Sequence, residues 1–119
     1  MIYEISHIER PIDQRILNPY KTKTKKENRI LTAAKDFLCS RFGFEFLGVV
    51  FKNGRTITFI EAPNKKCIEK CIKIGTPIFE KLTGCPYEDI QFKEYNPCEK
   101  SLVLDSIHII KEELYGETA

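Results

Sequence analysis

The chain contains no tryptophan, a single methionine and only two histidines, His7 and His108. With so few imidazoles, a catalytic relay or a histidine-rich metal centre has little to draw on. Asp105, Ser106 and His108 are the residue types of a hydrolytic triad, but neighbours on one helix point about 100° apart and cannot form the relay. No GxGxxG or GxxxxGK[ST] stretch is present, which argues against the common phosphate-cradling folds. No apolar run approaches the roughly 18 residues of a membrane span. The start, Met1-Ile2-Tyr3-Glu4-Ile5, lacks the basic and apolar regions of a secretory signal, so the expected location is cytoplasmic.

The cysteines, Cys39, Cys67, Cys71, Cys85 and Cys98, are odd in number, and 119 residues bury enough surface to fold without staples. Reduced thiols and no disulfide are expected. Cys67 and Cys71, one turn apart, would share a helix face, with Cys85, Cys98 and His108 as further candidates for a metal. Zinc modules, however, bring closely spaced cysteines together in turns, so these thiols read as small packing groups, with no metal and no cofactor.

What the sequence does offer is Phe44 to Ala62, two apolar runs joined by Lys52-Asn53-Gly54-Arg55. Asn-Gly between β-prone runs predicts a hairpin with a two-residue turn, because that turn needs positive φ twice. The turn sets a register: Lys52 with Arg55, Val50 with Ile57, Gly48 with Phe59 and Phe46 with Glu61 on one side, and Phe51 with Thr56, Val49 with Thr58 and Leu47 with Ile60 on the other. Both sides carry large apolar groups, so both need cover: helices on one, more chain or a partner on the other.

Around this hairpin the chain reads as one α+β domain over residues 1–119, an antiparallel sheet built from 44–51 and 55–61 with a strand near 90–95 and a further candidate at 2–8. Pro11 and Asn18-Pro19 interrupt regular structure, and residues 18–26 read as a flexible basic arm. Thr24 and Glu27 form a capping box for a helix over 25–42, whose stripe of Ile30, Ala33, Ala34, Phe37 and Leu38 faces inward and which Gly43 ends. Asn64 caps a helical stretch over 65–82. Gly75-Thr76-Pro77 reads there as a stop and a new start, with a single kinked helix as the alternative. A last helix is expected over 97–115, with Val103, Ile107, Ile110 and Leu114 inward, although β-prone residues leave a terminal strand open.

The formal charge of +2 conceals an asymmetry, net +4 over residues 1–43, +3 over 44–83 and −5 over 84–119. Lys21, Lys23, Lys25, Lys26 and Arg29, the hairpin tip Lys52 and Arg55, and the stripe Lys66, Lys70 and Lys73 could together follow a phosphate backbone. Against this stand a pI near 8.2, an acidic final third and the lack of a base-reading motif. A hairpin ending in Glu61-Ala62-Pro63 before a lysine-bearing helix is similar in outline to small nucleases with a Glu-x-Lys site, but Pro63 stands where their lysine would and no strand aspartate precedes it. The expected function is therefore non-catalytic: an accessory subunit, regulator or mobile-element-encoded inhibitor that binds a protein or a second copy of itself through Leu47, Val49, Phe51, Thr58 and Ile60. A nucleic-acid-binding module is the alternative, and a protein that holds a small anionic ligand the second alternative.

Overall fold

A computed structural model describes residues 1–94; the expected helix over 97–115, Tyr95 and Cys98 lie outside the described residues. Asn53 and Gly54 take φ of 54° and 72°, the two left-handed positions the tight turn requires. Strands β2 (Glu45–Lys52) and β3 (Arg55–Glu61) pair in the expected register from Lys52 opposite Arg55 to Gly48 opposite Phe59. Past Gly48 the ladder slips by one residue: Phe46 stands opposite Ile60, and Glu45 opposite Glu61. The irregularity is a β-bulge at Leu47, and one inserted residue exchanges the faces beyond it. Leu47 therefore packs with Ile2 and Phe59 on one side of the sheet, while Phe46 joins Ile60 on the other.

Strand β1 (Ile2–Ile8) lies antiparallel between β3 and β4 (Gln91–Glu94), giving the order β2-β3-β1-β4. This strand order, with a helical crossover before β2 and another before β4, is that of the ferredoxin-like β-α-β-β-α-β arrangement. Tyr3, Ile5 and His7 of β1 share the face that the helices cover, and Ile2, Glu4 and Ser6 share the other.

The first crossover holds two helices where the sequence promised one. Pro11 does not interrupt structure; it opens α1 (Pro11–Leu17) as its first residue, where a missing N–H costs nothing. Helix α2 (Lys25–Asp36) starts on the expected capping box: Thr24 Oγ1 accepts from Glu27 N at 3.1 Å and Thr24 N donates to Glu27 Oε1 at 2.8 Å. It continues as a π-helical turn, Phe37–Arg41, before Gly43 turns the chain at φ 70°. Residues 18–24 are a tied connector, not a free arm: Arg15 reaches Thr22 O at 3.3 Å and pairs with Glu27, and Lys23 Nζ donates to Asn18 O at 2.8 Å.

The second crossover is one helix, α3 (Lys65–Thr83), capped by Asn64, whose Oδ1 accepts from Cys67 N at 3.0 Å, and closed by Gly84 at φ 69°. Gly75 does not stop it, because its role is close approach: a Cβ there would stand 2.8 Å from Phe37 Cε2. Pro77 removes the donor for the Lys73 carbonyl, but both residues lie on the exposed side, where water can serve that carbonyl. Tyr3, Phe37, Phe44, Ile60, Ile68, Cys71 and Phe79 fill the space between sheet and helices. Among the described residues no helix is long and apolar enough to cross a membrane.

Candidate functional site

In a sheet covered by helices, the middle of the inner face is where burial should be most complete. Ile5 of β1 and Thr58 of β3 stand directly opposite each other on the two central strands, on that face, and both remain partly exposed. The reason is a cavity of about 190 Å³ above them. Its floor is Ile5, Thr58, Ile60 and Phe46; one wall is Ile30, Ala34, Phe37 and Leu38 of the α2 limb, and the other Cys71, Ile72, Gly75 and Phe79 of α3. For scale, an apolar cavity of roughly 150 Å³ can admit a benzene molecule. The amphipathic spacing of α2 and α3 turns these apolar residues inward, and Gly75 of α3 lets the Phe37 ring of the π-helical turn come close.

One end of the cavity is polar. Asp13, at the third position of α1, turns back so that its Oδ2 accepts from Arg10 N at 2.8 Å, as an N-terminal carboxylate should. The same oxygen accepts from the Thr56 hydroxyl at 2.8 Å and lies 3.0 Å from His7 Nε2. Oδ1 lies 3.0 Å from both Nε and Nη2 of Arg10. Burial pushes this carboxyl up, yet His7, the Arg10 backbone N–H and guanidinium, and the Thr56 hydroxyl outweigh it and hold the acid at about 2. Arg10 also donates from Nη1 to Thr83 Oγ1 at 3.2 Å and Cys85 O at 3.0 Å, with its guanidinium 3.9 Å above the Tyr87 ring. Tyr87 meets His7 edge to face at 4.8 Å, and burial raises its phenol.

The polar groups at this end of the cavity are engaged with one another. Asp13 is buried with both oxygens engaged, so it anchors α1 to the sheet and is not free to take a proton from a substrate. Cys71, the thiol on the cavity wall, is pushed by burial to about 11 and stays a thiol at neutral pH. No group of three or more His, Cys, Asp or Glu side chains able to hold a metal occurs among the described residues. The cleft carries little charge: Arg10 is neutralised by Asp13, and Lys35, on the exposed side of α2, is the remaining cation in its lining.

The residues expected to form a protein interface are not an exposed patch. Val49 and Ile60 are 0% exposed under the protein's own helices. Thr58 faces the cavity, Phe51 is partly exposed on the same side, and the bulge has carried Leu47 to the other face. The expected nucleic-acid residues are dispersed. Lys21, Lys25, Lys26, Arg29 and Lys52 are exposed, as are Lys66, Lys70 and Lys73, but α3 starts at the end of the sheet opposite the hairpin tip. Arg55 is not a free tip cation: it donates to Ser6 Oγ and to the side chain and carbonyl of Asp89.

The sequence reading gave Arg10, Asp13 and Tyr87 no role, took His7 only as one of two scarce imidazoles, and placed Thr56 only in the hairpin register opposite Phe51. The signals were present: Asp two residues after a proline that could start a helix, and two threonines, Thr56 and Thr58, at inward positions of an otherwise apolar strand. No family model, no curated protein and no solved structure matches this chain.

Proposed function

We propose that this protein is a non-catalytic small-molecule-binding domain that takes a compact, mainly apolar, uncharged ligand into the cleft between its sheet and its helices. The observation that carries the reading is the partly exposed floor at Ile5 and Thr58, roofed by apolar helix faces around a space of about 190 Å³. A preformed apolar cavity with a few polar groups at one end is the usual form of such sites. Arg10 is matched by Asp13, and the remaining cation, Lys35, lies on the exposed side of α2, which favours a neutral ligand over an anionic one inside the cleft. Protein binding through Val49 and Ile60 would require the helices to lift away, and Arg55, tied to Ser6 and Asp89, does not favour nucleic-acid binding at the tip.

The test is a cavity-filling substitution, Ala34→Leu, with melting temperature recorded against a series of small apolar compounds. Wild type should show a concentration-dependent rise, since a ligand that binds only the native state stabilises it by mass action. Ala34→Leu should remain folded and lose that response. If no compound shifts the wild-type transition at millimolar concentration while Ala34→Leu melts higher, the space is a packing void and the reading is wrong.

A further inference from the structure

The inner face of β3 carries two hydroxyls. The Thr56 hydroxyl donates to Asp13, whereas that of Thr58 has no hydrogen-bond partner among the described residues. An unpartnered hydroxyl that was also cut off from solvent would cost about 1–3 kcal/mol. Among the described residues no buried side-chain nitrogen or oxygen lacks a partner, so the Thr58 oxygen is accessible; with the sheet beneath and helices around, the accessible side is the cavity.

His7 makes a second opening of the same kind. Its Nε2 faces the ionised Asp13 carboxylate at 3.0 Å and so carries the proton that it donates there. In the neutral ring this leaves Nδ1 as an acceptor, with no partner among the described residues and, by the same reasoning, accessible. His7 pairs with Thr56 and Ile5 with Thr58, so His7 and Thr58 are diagonal neighbours on one face. Diagonal positions across antiparallel strands lie roughly 7 Å apart. The floor thus presents one acceptor and one hydroxyl to an otherwise apolar space bordered by the rings of Phe37, Phe46, Phe79 and Tyr87.

From this geometry, and resting on the cleft reading above, we infer that the ligand class is a neutral one- or two-ring aromatic bearing a hydroxyl, which donates to His7 Nδ1 and accepts from the Thr58 hydroxyl. A phenolic hydroxyl does both. A ring carboxylate would set its charge against the His7 lone pair in an apolar space, and a plain hydrocarbon would leave both floor groups unpaired.

The experiment is an NMR titration of the labelled protein with phenol, toluene and benzoate, on wild type, Thr58→Val and Thr58→Ser. Phenol should bind wild type about tenfold more tightly than toluene, the worth of one or two net hydrogen bonds, and benzoate should bind most weakly. Thr58→Val, which keeps the shape and removes the hydroxyl, should bring phenol close to toluene while leaving toluene unchanged; Thr58→Ser should keep the preference. Equal binding of phenol and toluene to wild type, a preference that survives Thr58→Val, or tightest binding of benzoate would overturn the hydroxyl-reading role while the cleft reading stands. No binding of phenol or toluene, with shifts absent from Ile5, Ala34 and Phe79, would overturn both.

Discussion

Asp13 is the residue whose ionisation matters most to the fold. Its carboxyl sits at about 2 in the folded protein against 3.8 as the ordinary value, so the folded state favours the charged form. The stabilisation is complete above pH about 4 and is lost as pH falls through about 2; a shift of this size corresponds to roughly 2 kcal/mol. Urea unfolding at pH 5 and pH 2 should show that loss in wild type, and Asp13→Asn should remove this part of the pH dependence while lowering stability at pH 5. These contacts were hidden in the sequence because their partners are brought together by strand pairing. Thr56 and His7 meet only once β1 lies against β3, and Thr83 and Cys85 reach Arg10 only once α3 has crossed the sheet.

At the scale of elements, the contact between Gly75 of α3 and Phe37 of the π-helical turn sets where the cleft ends. Alanine is the better helix former by up to about 1 kcal/mol, but its Cβ would stand 2.8 Å from Phe37 Cε2. Phe37 cannot swing aside freely, since its ring lies edge-on to Phe42 at 5.0 Å and to Phe79 at 5.4 Å. Overpacking of this kind costs about 1–3 kcal/mol, so Gly75→Ala should destabilise despite its helix propensity. Added to Phe37→Leu, the same change should cost less, with a coupling of about 1 kcal/mol measurable by denaturant titration. Local signals made β2, β3, the start of α2 and the cap of α3 legible, because Asn53-Gly54, Thr24 with Glu27 and Asn64 each act within a few residues. Leu47 could not be placed from its own neighbourhood. Gly48 beside it is the kind of strand-interior glycine that can mark a bulge, but it does not say which way the ladder slips, and the slip satisfies Phe46 and Ile60 on one face and Leu47 and Phe59 on the other at once. Gly75 and Pro77 misled for the converse reason: each is a local stop signal set aside by packing and by solvent.

For the whole molecule, the α+β architecture could be anticipated from the run of elements, whereas the cleft could not. An apolar stripe on α2 and another on α3 announce that both helices turn inward, but how far apart they stand depends on one close approach and on the three helices that share one sheet face. The position of β1 has a further consequence, in the order of events as the chain leaves the ribosome. Ile5 pairs with Thr58 on one side and with Phe92 on the other, so β1, which precedes both of its partners, stays without them until β3 and then β4 have been made. The β2–β3 hairpin needs only its own turn and can form locally, which makes it the natural nucleus for β1 to join. Gly54→Val strains that turn by about 1–3 kcal/mol, with open space around the new side chain and so no packing contribution. In stopped-flow chevrons nearly all of this cost should appear as slower folding, with unfolding hardly changed. Until the hairpin closes, Ile2, Tyr3 and Ile5 lie open to whatever else is in solution, and the time the nascent chain spends in that state is set by a two-residue turn that none of them touches.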